Sequence, residues 1–182
     1  MTGKRVIVTG GTGFIGKRLV CELSARGCLV TVLARASSNV TGLPENVHIE
    51  RIDLNDKESL KAMLPGTEYF FHLAGLTKAR NDKEMLSINR DLAYDLALLC
   101  REQAGDSLNR FVFLSSQAAS RPGQEAVCEE DSCCPVSCYG RSKQEAEVLI
   151  EDVGLPFTII RPPSVYGPGD KDIFFFFRLA HM

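Results

Sequence analysis

Between an apolar run and the first amphipathic stretch lies Thr9-Gly10-Gly11-Thr12-Gly13-Phe14-Ile15-Gly16, with glycines three apart at 10, 13 and 16. A strand–turn–helix junction of this kind admits an anion. Without Cβ atoms the backbone approaches a pyrophosphate closely, and the helix start presents free N–H groups and a partial positive charge. The last glycine lets helix and strand pack together. The element before it must then be a strand and the element after it a helix, which constrains the whole chain toward an α/β fold.

The remaining periodicity agrees. Strands are expected at Lys4–Thr9, Leu29–Ala34, Val47–Ile52, Glu68–Leu73, Phe111–Ser115 and Pro156–Arg161. Helices are expected at Phe14–Arg26, Lys57–Leu64, Lys83–Ala104 and Ser137–Val153, with residues 117–136 an irregular loop. Strands alternating with helices give a doubly wound parallel sheet in three αβα layers, and right-handed crossovers favour the order 3-2-1-4-5-6. Residues 1–182 are expected to form one domain, without repeats or linkers.

A glycine loop in that setting selects a dinucleotide. Its type is read at the end of the second strand, where an acid favours NAD through the ribose hydroxyls. Here Ala34 is followed by Arg35, then Ser37 and Ser38. A guanidinium suits a 2′-phosphate, so NADP(H) is preferred, with NAD as the alternative and a merely solvated Arg35 as the bland reading.

Tyr139-Gly140-Arg141-Ser142-Lys143 opens the last helix and puts Tyr139 and Lys143 on one face. A phenol ordinarily gives up its proton near pH ~10, and an ammonium beside it favours the phenolate. Such a pair is a general acid/base for hydroxyl–carbonyl chemistry. Ser115-Ser116 stands at the C-terminal end of the fifth strand, the ligand edge of an open parallel sheet, where a hydroxyl can orient the reacting oxygen or simply cap the strand.

With these pieces in place the chain resembles the extended short-chain dehydrogenase/reductases of the NAD-dependent epimerase/dehydratase family. The matching segments are TGGTGFIG at 9–16, Asp53-Leu54, HLAG at 72–75, Asn89 in the long helix, SSQAAS at 115–120, YGRSK at 139–143 and RPPSVYGPGD at 161–170. The resemblance implies a Rossmann domain and these roles. Gly10, Gly13, Phe14, Ile15 and Gly16 lie along the cofactor phosphates, and Asp53 and Leu54 border the adenine. Leu73, Ala74 and Gly75 line the cleft. Ser116, or failing it Ser115, is the catalytic hydroxyl. Tyr139 is the acid/base, Lys143 holds the nicotinamide ribose, and Arg161, Pro162 and Pro163 border the nicotinamide end. Asn89 is either part of that site or a polar residue that bends its helix.

The resemblance also implies a following substrate-binding half, most of which lies outside these 182 residues. Phe174–Phe177 would then pack beneath it, and uncovered they predict dimerisation or aggregation through the C-terminal end. Dehydratases of the family carry Asp-Glu directly after the catalytic hydroxyl. Gln117-Ala118 stands there instead, which favours a reductase or hydroxysteroid-dehydrogenase-like branch over a dehydratase. A nucleotide-sugar epimerase is the alternative, and a non-catalytic dinucleotide sensor or scaffold the alternative of another class.

Net charge is −2 with scattered Lys and Arg, so neither nucleic acid nor a membrane surface is an expected partner. The partners expected are the dinucleotide and a small-molecule substrate. The apolar run Val6–Val8 is too short for a signal core or a membrane span, and a cytoplasmic protein follows. Of the seven cysteines, Cys128, Cys133, Cys134 and Cys138 fall close together but match no common zinc spacing. They are expected as reduced thiols, with no metal.

Overall fold

A computed structural model describes residues 2–123, 127–170, 173 and 175. The six strands are β1 (Arg5–Thr9), β2 (Leu29–Ala34), β3 (His48–Arg51), β4 (Tyr69–His72), β5 (Arg110–Leu114) and β6 (Phe157–Ile160). They form one sheet in the order β3-β2-β1-β4-β5-β6, parallel throughout. This is the doubly wound Rossmann arrangement.

Both faces of the sheet are covered, so the central strands read as unbroken apolar runs. Alternation sorts them. Val6, Val8, Val30 and Val32 pack with Val20 and Leu23 of α1 (Phe14–Ala25). Ile7, Leu33, Phe70, Phe111 and Phe113 join the opposite layer with α2 (Lys57–Met63), α4 (Leu92–Ala104) and α5 (Cys138–Val153).

Caps mark where the helices begin. Asp56 accepts from the Ser59 N–H at the start of α2, Asn81 from the Glu84 N–H at α3 (Asp82–Leu86), and Ser137 from the Gly140 N–H at α5. Helix α1 differs. Its N-cap is Gly13, with no side-chain cap and no acid in the first turn. Gly154, in the left-handed region at φ 73°, closes α5.

The expected single helix over Lys83–Ala104 is instead α3 and α4 joined by a π-helical turn at Ser87–Asp91. Asn89 sits in that turn, fully buried. Residues 117–136 contain a short 3-10 turn at Gln117–Ala119. Of Phe174–Phe177 the structure describes Phe175, which is exposed; Phe174, Phe176 and Phe177, and with them most of the expected patch and the association built on it, lie outside the described residues. No helix among the described residues is long and apolar enough to cross a membrane.

Strand order reverses between β1 and β4, where Thr9 pairs with His72. Open parallel sheets take their ligands at such a switch point, beyond the C-terminal ends of the strands. Every candidate site segment leaves the sheet on that edge.

Candidate active site

The glycine loop is built by close approach. Gly10 has φ 69°, and a Cβ on it would meet the Ala74 nitrogen and the Leu73 carbonyl carbon, each at 2.6 Å. A Cβ on Gly16 would lie 2.1 Å from the Gly10 oxygen. Both positions therefore require glycine. The Gly13 N–H closes the turn onto the Gly10 carbonyl at 3.0 Å, and the first N–H groups of α1 are left without a side-chain cap. The tight turn these contacts make, ending in uncapped helical N–H groups, fits the pyrophosphate of a dinucleotide. Methyl groups placed on Gly167 and Gly169 would lie 3.9 and 3.8 Å from the Phe14 ring, so the C-terminal GPGD segment passes beside this loop.

At the ribose end Arg35 is exposed and makes no ion pair among the described residues. Arg51, its neighbour from β3, shapes the turn by donating from Nη1 to the carbonyls of Arg35, Ala36 and Ser38 at 2.8, 3.3 and 2.8 Å. Asp53 is occupied locally, accepting from the backbone and side-chain N–H groups of Asn55 at 3.0 and 2.8 Å. Leu54 packs against the core.

Under the switch point the Thr9 hydroxyl lies 2.7 Å from His72 Nδ1 and accepts from the Ala74 N–H at 3.3 Å. The His72 ring stacks on Phe113 with centroids 5.8 Å apart. Its buried Nε2 has no hydrogen-bond partner among the described residues. Burial, and secondarily the Lys143 charge, push the imidazole down to about 3, so it is neutral.

Helix α5 carries Tyr139 and Lys143 toward this floor. The Lys143 ammonium is 4% exposed, donates to the Leu114 carbonyl at 2.9 Å and lies 4.7 Å from the Phe113 ring centroid. One of its three donors is thereby used. Burial lowers it to about 8 against the upward pull of Glu147. Tyr139 is half-buried, and its phenol makes no hydrogen bond among the described residues. The Ser116 hydroxyl accepts from the Ala118 N–H at 3.1 Å and keeps its proton to donate.

Asn89 stands where its helix departs from regular geometry, as one of its two readings expected. Its Oδ1 accepts from the Leu76 N–H at 2.7 Å, and its Nδ2 donates to the Leu76 carbonyl at 2.8 Å and to Ser142 Oγ at 3.1 Å. A helix interior would have left this carboxamide without such partners. The π turn swings it toward Gly75-Leu76 and toward α5, a local irregularity of the kind found at functional sites.

Glu147 engages two of the expected site residues. Ser115 is buried, and its hydroxyl is committed to Glu147, while Ser116 stays half-buried at the strand end. Arg161 is held through its guanidinium. Its Nε donates to Glu147 Oε1 and Oε2 at 3.0 and 3.2 Å, and Nη2 to Oε2 at 2.6 Å. The Pro162 carbonyl accepts from the Gln117 N–H at 3.0 Å.

Glu147, His72 and Gly140 were not singled out from the sequence. A Cβ on Gly140 would lie 2.2 Å from the Ala118 oxygen, so glycine there seats the Ser116 turn on α5. For Glu147 the available signal was its place one turn beyond Lys143 on the buried face. None of the seven cysteines, all of them among the described residues, forms a disulfide.

The profile of the NAD dependent epimerase/dehydratase family matches residues 6–178. Among curated relatives, a ceramide reductase of Caulobacter vibrioides is 33% identical over 177 residues, covering 96% of this chain and 50% of the relative. A UDP-glucose 4-epimerase of Vibrio cholerae is 32% identical over 178 residues, covering 92% and 54%. The chain thus spans about half the length of these relatives. Among solved structures, the UDP-N-acetylglucosamine 4-epimerase of Methanobrevibacter ruminantium, in complex with UDP-N-acetylmuramic acid, superposes with a TM-score of 0.84 at 27% identity, covering 94% of this chain and 58% of that one. MoeE5, in complex with UDP-glucose and NAD, superposes with a TM-score of 0.81 at 32% identity, covering 96% and 59%. On its matched profile and its relatives above 30% identity, the chain belongs to the NAD dependent epimerase/dehydratase family.

Proposed function

We propose that this chain is the dinucleotide-binding part of an enzyme that moves a hydride and a proton at a hydroxyl or carbonyl carbon, with NADP(H) preferred. The observation that carries this reading is the uncapped start of α1 against a loop where Gly10 and Gly16 leave no room for Cβ atoms. Every other helix that starts from a loop here and has a polar residue at its N-cap uses it, as α2, α3 and α5 do. The N–H groups of α1 are kept for an anion.

The residues divide the work. The α1 N-terminus holds the pyrophosphate, and Arg35, held out by the Arg51-braced turn, faces a 2′-phosphate. Lys143 keeps two N–H bonds for ribose hydroxyls and stands one turn beyond Tyr139 on the same face of α5. In the reductive direction the phenol gives its proton to the carbonyl oxygen, and in the oxidative direction it takes the hydroxyl proton. Ser116 donates to that same oxygen and orients it. The dinucleotide, when bound, supplies or accepts the hydride.

This first step is common to reductases and epimerases, and the relatives include both. Gln117-Ala118 after Ser116 argues against a dehydratase, and SSQAASRPG lacks the VYG that many nucleotide-sugar enzymes of the family carry after the serine, which supports the reductase branch. The test is NADPH oxidation with a panel of ketones and with UDP-sugars. A reductase consumes NADPH with a ketone, whereas an epimerase leaves the dinucleotide pool unchanged. Tyr139→Phe should keep NADPH affinity and lose about 10²–10⁴-fold in turnover. Unchanged turnover would remove Tyr139 from the chemistry and leave a binding protein.

A further inference from the structure

We propose that Glu147 is a positioning residue for the candidate proton-transfer site: its single buried carboxylate locks the strand end beside Ser116 and the segment starting at Arg161 onto α5, and holds the charge on Lys143. What the positioned residues do rests on the reading above, but the placement of Glu147 does not.

Glu147 is 2% exposed. A carboxylate so buried is tolerable only if its oxygens are filled with donors. Here Ser115 Oγ donates to it from the end of β5, and the Arg161 guanidinium donates through both Nε and Nη2 from the end of β6. Each donor adjoins a site segment. Ser115 precedes Ser116, and Arg161 precedes Pro162, whose carbonyl receives the Gln117 N–H. The two strand-end loops are thus tied to each other and, through one side chain, to α5. Tyr139, Lys143 and Glu147 follow at four-residue spacing on one face of that helix.

A buried ion pair is seldom retained for stability alone, because well-packed apolar side chains of similar volume do as well. What apolar side chains lack is charge. Around Lys143 stand neutral His72 from β4, Asn89 from the π turn, the Phe113 ring and Leu114 carbonyl of β5, and Tyr139 and Glu147 on its own helix, with Arg161 behind Glu147. Glu147 is the acid that opposes the desolvation of this ammonium. Neutralising it therefore weakens Lys143's hold on its proton, and freeing it from Arg161 strengthens that hold.

The test follows Lys143 itself, by NMR of the chain labelled with ¹³C-lysine, its signal assigned by loss in Lys143→Arg. Three variants are titrated with pH alongside the parent: Glu147→Gln, Arg161→Gln, and the double variant, which leaves a neutral hydrogen-bonded pair. Thermal melting reports whether each folds. The Lys143 midpoint should fall by about one pH unit, a tenfold change in its proton equilibrium, in Glu147→Gln, fall by less in the double variant, and rise in Arg161→Gln. A purely structural brace would leave the double variant at the parental midpoint, and that result in a folded protein overturns the proposal. If Glu147→Gln fails to fold, the other two variants still decide it. NADPH binding is measured in parallel. A parent chain that binds no dinucleotide would refute the proposed function, while the Lys143 midpoints would still judge Glu147.

Discussion

Gly75 and Lys143 meet closely: a Cβ on Gly75 would crowd Lys143 Nζ at 3.2 Å and Asn89 Oδ1 at 3.0 Å. The loop after β4, the π turn and α5 converge at this point. The contact joins the loop after β4 to the lysine proposed to hold the ribose.

Gly75→Ala tests that convergence. Its backbone is not in the left-handed region, so the added methyl acts by crowding alone. Asn89 is clasped to Leu76 and Lys143 to Leu114, so neither moves freely. Overpacking of this kind costs about 1–3 kcal/mol. Chemical unfolding should show that loss, together with weaker NADPH binding. A variant with parental stability and affinity would mean that the two side chains give way without consequence.

Lys143 also sets a pH signature. Burial takes its ammonium from 10.5 to about 8. Below pH 8 folded and unfolded chains both hold the proton, and the full cost of burial is present. Between 8 and 10.5 the unfolded chain binds more protons, so stability rises with pH, by an integrated ~3 kcal/mol. Urea unfolding at pH 7.5 and 10, compared between the parent and Lys143→Met, should show this gain in the parent and its loss in the variant. Equal gains in both would contradict the assignment.

His72 acts at the other end of the scale. Its imidazole is lowered from 6.5 to about 3, so on acidification the unfolded chain takes up the proton first. Stability contributed by the neutral ring is present above pH 6.5 and drains away as pH falls toward 3. Relative to the parent, His72→Gln should flatten the acid limb of the unfolding curve by close to one proton. An identical acid limb would show that the ring is not held neutral.

The sheet was legible because its strands are buried on both faces and punctuated by turn residues, so Val6–Val8, Leu29–Ala34 and Phe111–Phe113 stand out as apolar runs. The glycine loop was legible because close approach leaves only one residue type at Gly10 and Gly16. The break at Ser87–Asp91 was not. A π turn changes which carbonyl accepts each N–H without ending the helical periodicity, and Asn89 reads as an ordinary polar residue until its partner Leu76 is in place. Glu147 was hidden for a similar reason. A glutamate in mid-helix normally faces water. Its burial depends on Ser115 and Arg161, which only the tertiary fold brings to it. The Arg161 motif likewise gave no sign of this partner.

The central claim is a dinucleotide held at the start of α1 with a phosphorylated ribose at Arg35. Its most direct test is titration of the chain with NADPH and NADH by cofactor fluorescence or calorimetry, with Gly16→Val and Arg35→Ser beside the parent. A side chain at Gly16 would begin 2.1 Å from the Gly10 oxygen, so Gly16→Val should abolish binding of both. Loss of a charge-assisted contact to phosphate is worth about 1.5–3 kcal/mol, so Arg35→Ser should weaken NADPH roughly 10–100-fold and leave NADH nearly unchanged. Tighter binding of NADH by the parent would contradict the preference for NADP(H), and binding of neither would contradict the account as a whole.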